Sequence, residues 1–147
     1  MATHPDETPK WAVTPYGGDE AAWAEAKAQA RGVLLRWAAR HEPGTYTDLA
    51  REVTAIAWPE GAFTHHGQQM GVLLGQVSMD ELDRASDIPL LSALVIGRDE
   101  GMPSSGYWAM CRELGLPVPV GDLARIEAWY REFDRACAYW GPRAATG

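Results

Sequence analysis

Residues 45–53 read Thr45-Tyr46-Thr47-Asp48-Leu49-Ala50-Arg51-Glu52-Val53. Glu42-Pro43-Gly44 stands just before them and stops whatever helix precedes, because Pro and Gly both break helices. Thr47 is a hydroxyl residue placed to cap a new helix. Leu49, Ala50 and Val53 then fall at spacings of one, three and four, so they share one inward face. The stretch therefore predicts a short helix entered through a sharp turn. Trp58-Pro59-Glu60-Gly61 reads as a loop. A second short helix is predicted from about Thr64, with Met70, Leu73, Leu74 and Val77 on its apolar side. Gly67, Gly71 and Gly75 recur at four-residue spacing along that helix. Each costs roughly 1 kcal/mol against Ala in a helix interior, so another backbone is expected to approach that face closely. Two short helices joined by a turn are the core of a helix-turn-helix.

Upstream, Asp19 is a candidate N-cap for a long helix to about His41. Trp23, Ala26, Ala30, Val33, Leu34, Trp37 and Ala38 make its apolar stripe. Residues 1–18 read as an arm, with Trp11 and Tyr16 available to pin it. Downstream, Met79–Arg84 reads as a further helical turn. Leu90–Ile96 is a nearly continuous apolar run and is predicted as the best strand in the chain. Residues 97–106 are dense in Gly, Pro and Ser. Tyr107–Met110 either returns as a strand, completing a hairpin wing, or opens a helix through Leu114. Leu116–Pro119 is a stiff linker. Asp122 caps a last helix to about Trp140, on which Leu123, Ile126, Tyr130, Phe133, Cys137 and Trp140 alternate at spacings of three and four. That seam covers under three heptads and is expected to pack on the core rather than to zip two chains together. Glu127 and Arg131 are placed for an i,i+4 ion pair. The fold class is thus α+β, mainly α: a winged helix-turn-helix over 19–115, an added C-terminal helix over 120–141, and a tail from 142.

Four motifs carry a resemblance to the winged-helix DNA-binding domain of alkylguanine-DNA alkyltransferases and alkyltransferase-like proteins. Tyr46-Thr47-Asp48-Leu49-Ala50 resembles their Y-G-E-L-A segment, and Met70-Gly71-Val72-Leu73-Leu74 the A-V-G-x-A-L of their recognition helix. Pro89 and the apolar run after it stand where P-C-H-R-V lies. Gly101 through Tyr107 resembles the G-x-x-G-G-Y wing. The order agrees over residues 31–110. The resemblance implies a DNA-binding scaffold and assigns Tyr46 to a phosphate-contacting position. The family nucleophile falls near Leu90 and its His near Leu91, neither of which can attack an alkyl group or activate a thiol. The helix arginine that fills the gap left by a flipped base falls at about Gln68, so base flipping of that kind is not implied.

Charge bears on the partner. The 147 residues carry a net charge of −7, with 11 Arg and only Lys10 and Lys27 as lysines. From Glu52 to Gly97 a single base, Arg84, stands against six acids. Phosphate contacts normally supply much of the affinity for DNA. The residues left to make such a face are Arg36, Arg40, Tyr46, Arg51 and Arg98, with His65, His66, Gln68 and Gln69 available to read base edges. The resemblance favours DNA as the partner of a non-catalytic winged-helix, nucleic-acid-binding or regulatory protein; the alternative is a protein docking on an acidic face beside exposed Trp58, Trp108 or Trp140, as in a small regulatory, phage-encoded or defence-related factor. A solvated helix face remains the plainer reading of the arginines.

No catalytic constellation is visible. His65-His66 lacks i,i+4 metal spacing, there is no Walker loop or G-x-S-x-G, and the carboxylates are scattered, so neither cofactor nor metal is expected. The two cysteines, Cys111 and Cys137, are expected to be separate reduced thiols. No apolar run approaches the ~18 residues of a membrane span, and the polar start MATHPDETPK has no signal-peptide core. A cytoplasmic, membrane-free protein is the default expectation, with its oligomeric state open.

Overall fold

A computed structural model describes residues 20–56, 68–84 and 87–144, the side chains of 68, 69, 83 and 84 excepted. Its elements in chain order are α1 (Glu20–Arg40), β1 (Gly44–Thr45), α2 (Tyr46–Glu52), α3 (Gln68–Arg84), a 3₁₀ turn (Leu91–Leu94), β2 (Val95–Ile96), α4 (Ser105–Glu113) and α5 (Asp122–Ala144). The fold is mainly helical.

α1 forms where its apolar stripe predicts. Trp23, Ala26, Ala30, Val33, Leu34, Trp37 and Ala38 are all buried. Its end is a left-handed cap rather than a break at Pro43. His41 takes φ 56°, its N–H donates to Ala38 O at 3.0 Å, and the Glu42 N–H donates to Trp37 O at 3.1 Å. This pair of reversed bonds satisfies carbonyls that the helix end would otherwise leave open. Gly44 follows, and here small size is required: a Cβ would overlap the six-membered ring of Trp37.

α2 begins earlier than expected. Its N-cap is Thr45, not Thr47: the Asp48 N–H donates to Thr45 Oγ1 at 3.1 Å and the Thr45 N–H donates to Asp48 Oδ2 at 3.2 Å. That reciprocal capping box satisfies two orphan donors at once. Leu49, Ala50 and Val53 face inward as predicted. The loop expected over Trp58–Gly61 and the helix start expected near Thr64 lie outside the described residues, as do Asp19, His65, His66 and Gly67.

α3 is longer than the short helix expected, because Met79–Arg84 continues it without a break. The close approach expected along its glycines is absent at Gly71, where an added Cβ meets nothing within 4 Å. α1 and α3 are joined by polar pairs that advance together along both helices. Trp23 Nε1–H donates to Gln76 at 2.6 Å, Lys27 pairs with Asp80 at 3.0 Å, and Arg31 pairs with the buried Glu81 at 3.2 Å.

The expected strand over Leu90–Ile96 is mostly a 3₁₀ turn, with only Val95–Ile96 extended. β2 pairs with β1 in parallel, Gly44 opposite Val95 and Thr45 opposite Ile96, and no other sheet occurs among the described residues. The hairpin wing therefore does not form. Residues 97–104 make a tight turn closed by Gly97 N–H to Met102 O at 2.9 Å, and Tyr107–Met110 belongs to α4.

α5 runs antiparallel to α1. His41 at the end of α1 meets Asp134 and Phe133, Ala38 lies beside Gly141, and the Arg31 guanidinium lies over the Trp140 ring. Three side chains of α5 hold the 89–94 segment. The Leu90 N–H donates to Glu132 Oε2 at 2.8 Å, Trp129 Nε1–H to Ala93 O at 2.8 Å, and Trp140 Nε1–H to Pro89 O at 3.0 Å.

Two glycines provide opposed tests. Gly44→Ala is expected to cost about 1–3 kcal/mol through overpacking against Trp37, whereas Gly71→Ala gains about 0.5–1 kcal/mol because it removes a glycine from an open helix position. Urea unfolding of both variants measures the pair.

Candidate functional site

The structure places the sequence-nominated arginines among acids of the same surface. Arg36 Nη2 lies 2.7 Å from Glu52 Oε1. Arg51, on α2, lies 3.7 Å from Asp48 one turn back. Arg40, one turn beyond Arg36, and Arg98, in the 97–104 turn, are exposed, and neither makes an ion pair among the described residues. Arg98 is followed directly by the exposed Asp99 and Glu100. His65 and His66, and the side chains of Gln68 and Gln69, lie outside the described residues.

Tyr46 is occupied with structure. Its hydroxyl accepts from the Ser104 N–H at 2.8 Å and donates to Ser104 Oγ at 3.1 Å. Burial pushes its pKa up, against the opposing pull of the Ser104 hydrogen bonds. The result is a latch from the start of α2 to the start of α4, and it ties the end of the 97–104 turn to α2. Ser104 is thereby drawn away from capping its own helix: α4 has no side-chain cap bond at Ser104. Nothing in the sequence marks Ser104, since its partner lies 58 residues away.

The positions that the resemblance assigns to nucleophile and His are core. Leu90 and Leu91 are both buried. Both thiols are also buried and free. Burial raises Cys111 to about 11, with a hydrogen bond from Tyr107 pulling the other way. Burial, helped by the nearby Asp134 carboxylate, raises Cys137 to about 11 as well. A cleft of about 410 Å³ opens between the last turn of α1 and the second half of α5, with His41, Asp134 and Cys137 as its titratable lining. His41 Nε2 and Asp134 Oδ1 face each other at 3.2 Å. No group of three or more His, Cys, Asp or Glu among the described residues is arranged to hold a metal. No helix of the described residues is long and apolar enough to cross a membrane.

The surface feature that stands out is apolar, and it is not the tryptophan patch expected. Trp108 and Trp140 are buried, and Trp58 lies outside the described residues. Instead Leu123, Ile126 and Tyr130 are exposed on one face of the first turns of α5, and Leu116 and Val120 are exposed on the linker before it. The α5 seam read from the sequence is thus divided. Phe133, Cys137 and Trp140 enter the core, while Leu123, Ile126 and Tyr130 do not. The reason is length: α1 ends at the level of Asp134, so the earlier turns of α5 project past it. The sequence shows the stripe but not where its partner helix stops.

No family model, curated protein or solved structure matches this chain.

Thiol chemistry checks the site directly. A pKa raised to about 11 leaves the thiolate at roughly one part in a thousand at pH 8. Native protein is therefore expected to resist iodoacetamide at pH 8, to gain reactivity only as pH climbs toward 11, and to label fully at both cysteines once unfolded. Rapid labelling of the native chain at about pH 7 would contradict this placement.

Proposed function

We propose that this chain is a non-catalytic interaction module built on a helix-turn-helix scaffold, and that it works by docking a protein partner. The observation that carries this reading is the exposed apolar surface of Leu116, Val120, Leu123, Ile126 and Tyr130. Contiguous apolar surface of this kind on a folded domain marks an interaction site more often than a solvated face. The arginines support it by their placement: Arg36 and Arg51 are matched by Glu52 and Asp48, which leaves less positive field to draw a polyanion. The buried leucines at 90 and 91 and the two protonated thiols favour a chain without covalent chemistry.

The scaffold reading rests on order and latching. α2 precedes α3 along the chain, as in a helix-turn-helix, and the 97–104 turn is tied to α2 by the hydrogen bonds between Tyr46 and Ser104. A second reading, a nucleic-acid-binding winged helix resembling the alkyltransferase-like domain, is favoured by exposed Arg40 and Arg98, which no acid pairs among the described residues.

Fluorescence anisotropy with labelled duplex DNA separates the two. The protein-docking reading predicts no binding tighter than roughly 10⁻⁴ M at physiological salt, the weak end of ordinary non-specific affinity. Micromolar binding that weakens steeply with salt, and weakens further in Arg40→Ala and Arg98→Ala, would establish the nucleic-acid reading instead.

A further inference from the structure

The docking surface has a describable occupant. Val120 is 94% exposed, Leu123 72%, Tyr130 51% and Ile126 39%. Leu123, Ile126 and Tyr130 share one helix face, and an exposed apolar face of a few hundred Å² is the scale on which the centre of a standard interface of about 800 Å² per partner is built.

The stripe is complementary to itself. On a helix, Leu123, Ile126 and Tyr130 share one face, and Glu127 and Arg131 lie together on one flank of it. Two antiparallel helices related by a two-fold axis bring like flank to like flank. Crossing near residue 128 sets Ile126 of one copy opposite Tyr130 of the other and places Glu127 of each beside Arg131 of the other. Leu123 then reaches the level of Phe133, where α1 ends. The charges are available for this. Glu127 and Arg131 are exposed, and the i,i+4 ion pair expected between them does not form; neither has an ion-pair partner among the described residues. Arg135 pairs with Glu132 and His41 with Asp134, so the neighbouring charges are already matched.

We propose that two copies of this chain pair antiparallel through the first three turns of α5, Ile126 against Tyr130 and Glu127 against Arg131. The inference rests on the protein-docking reading above and names its partner as a second copy. The seam that ends on α1 within one chain is completed by the same seam of another.

Sedimentation equilibrium at roughly 10–200 µM, the range in which an interface of this size is expected to populate both states, tests it. The wild type is expected to approach twice the 16.1 kDa chain mass. The double variant Leu123→Glu/Ile126→Glu is expected to remain monomeric with an unchanged far-ultraviolet spectrum, since both sites are exposed. Glu127→Arg alone is expected to weaken pairing about tenfold, and Glu127→Arg/Arg131→Glu to restore it, because the swapped charges meet again across the axis. A monomeric wild type throughout, or a dimer that survives Leu123→Glu/Ile126→Glu, overturns the pairing. A monomeric wild type that also fails to bind DNA overturns the pairing while leaving the docking reading standing with a different partner, whereas salt-dependent DNA binding removes that reading itself.

Discussion

The segment Pro89–Ile96 has no neighbouring strand for most of its length, and its backbone polar groups need partners once buried. α5 supplies them. Glu132 takes the Leu90 N–H, and the indoles of Trp129 and Trp140 cap the carbonyls of Ala93 and Pro89. With those groups engaged, the run turns as a 3₁₀ helix, Leu91 and Leu94 enter the core, and only Val95 and Ile96 remain extended to meet Gly44 and Thr45. The buried hydroxyls of Ser78 and Ser92 bond each other at 3.1 Å and tie the same segment to α3. α5 is therefore a wall of the core, and the position of β1, and through it of α2, depends on what α5 holds in place.

This dependence explains which parts of the fold are legible in the sequence. α1 and the inward face of α2 are readable because their apolar residues recur with helical period, whatever core they meet. The Thr45–Asp48 capping box is also written locally, as a hydroxyl followed three residues later by an acid; Thr47 competes with Thr45 only because it too bears a hydroxyl. The 90–96 run reads as a strand because its β-branched residues favour extension, while the groups that override that preference lie 36 to 51 residues away on α5. The glycine at 71 suggests a close contact by its cost alone, and the open space beside it shows that cost need not mark a contact. Gly44, less conspicuous in sequence, is a glycine that packing does require, because a Cβ there overlaps Trp37.

The surface follows the same logic. The charge balance over 52–97 anticipates a weak positive field, but not that Glu52 and Asp48 stand beside Arg36 and Arg51, because pairing across elements is set by tertiary geometry. Tyr46 carries the position of a phosphate contact by resemblance, yet its hydroxyl both donates to and accepts from Ser104. On α5 a single uninterrupted stripe serves two purposes, sealing the core where α1 lies beneath it and standing open where α1 has ended. Periodicity identifies such a stripe; only the length of the neighbouring helix divides it.

α5 completes the core rather than decorating it. A chain ended at residue 121 tests this most directly, followed by thermal unfolding with near-ultraviolet circular dichroism from its remaining tryptophans. Without Trp129, Trp140, Phe133 and Glu132, no fixed tryptophan environment and no cooperative transition are expected. A shortened chain that keeps a near-ultraviolet spectrum and melts cooperatively would contradict it.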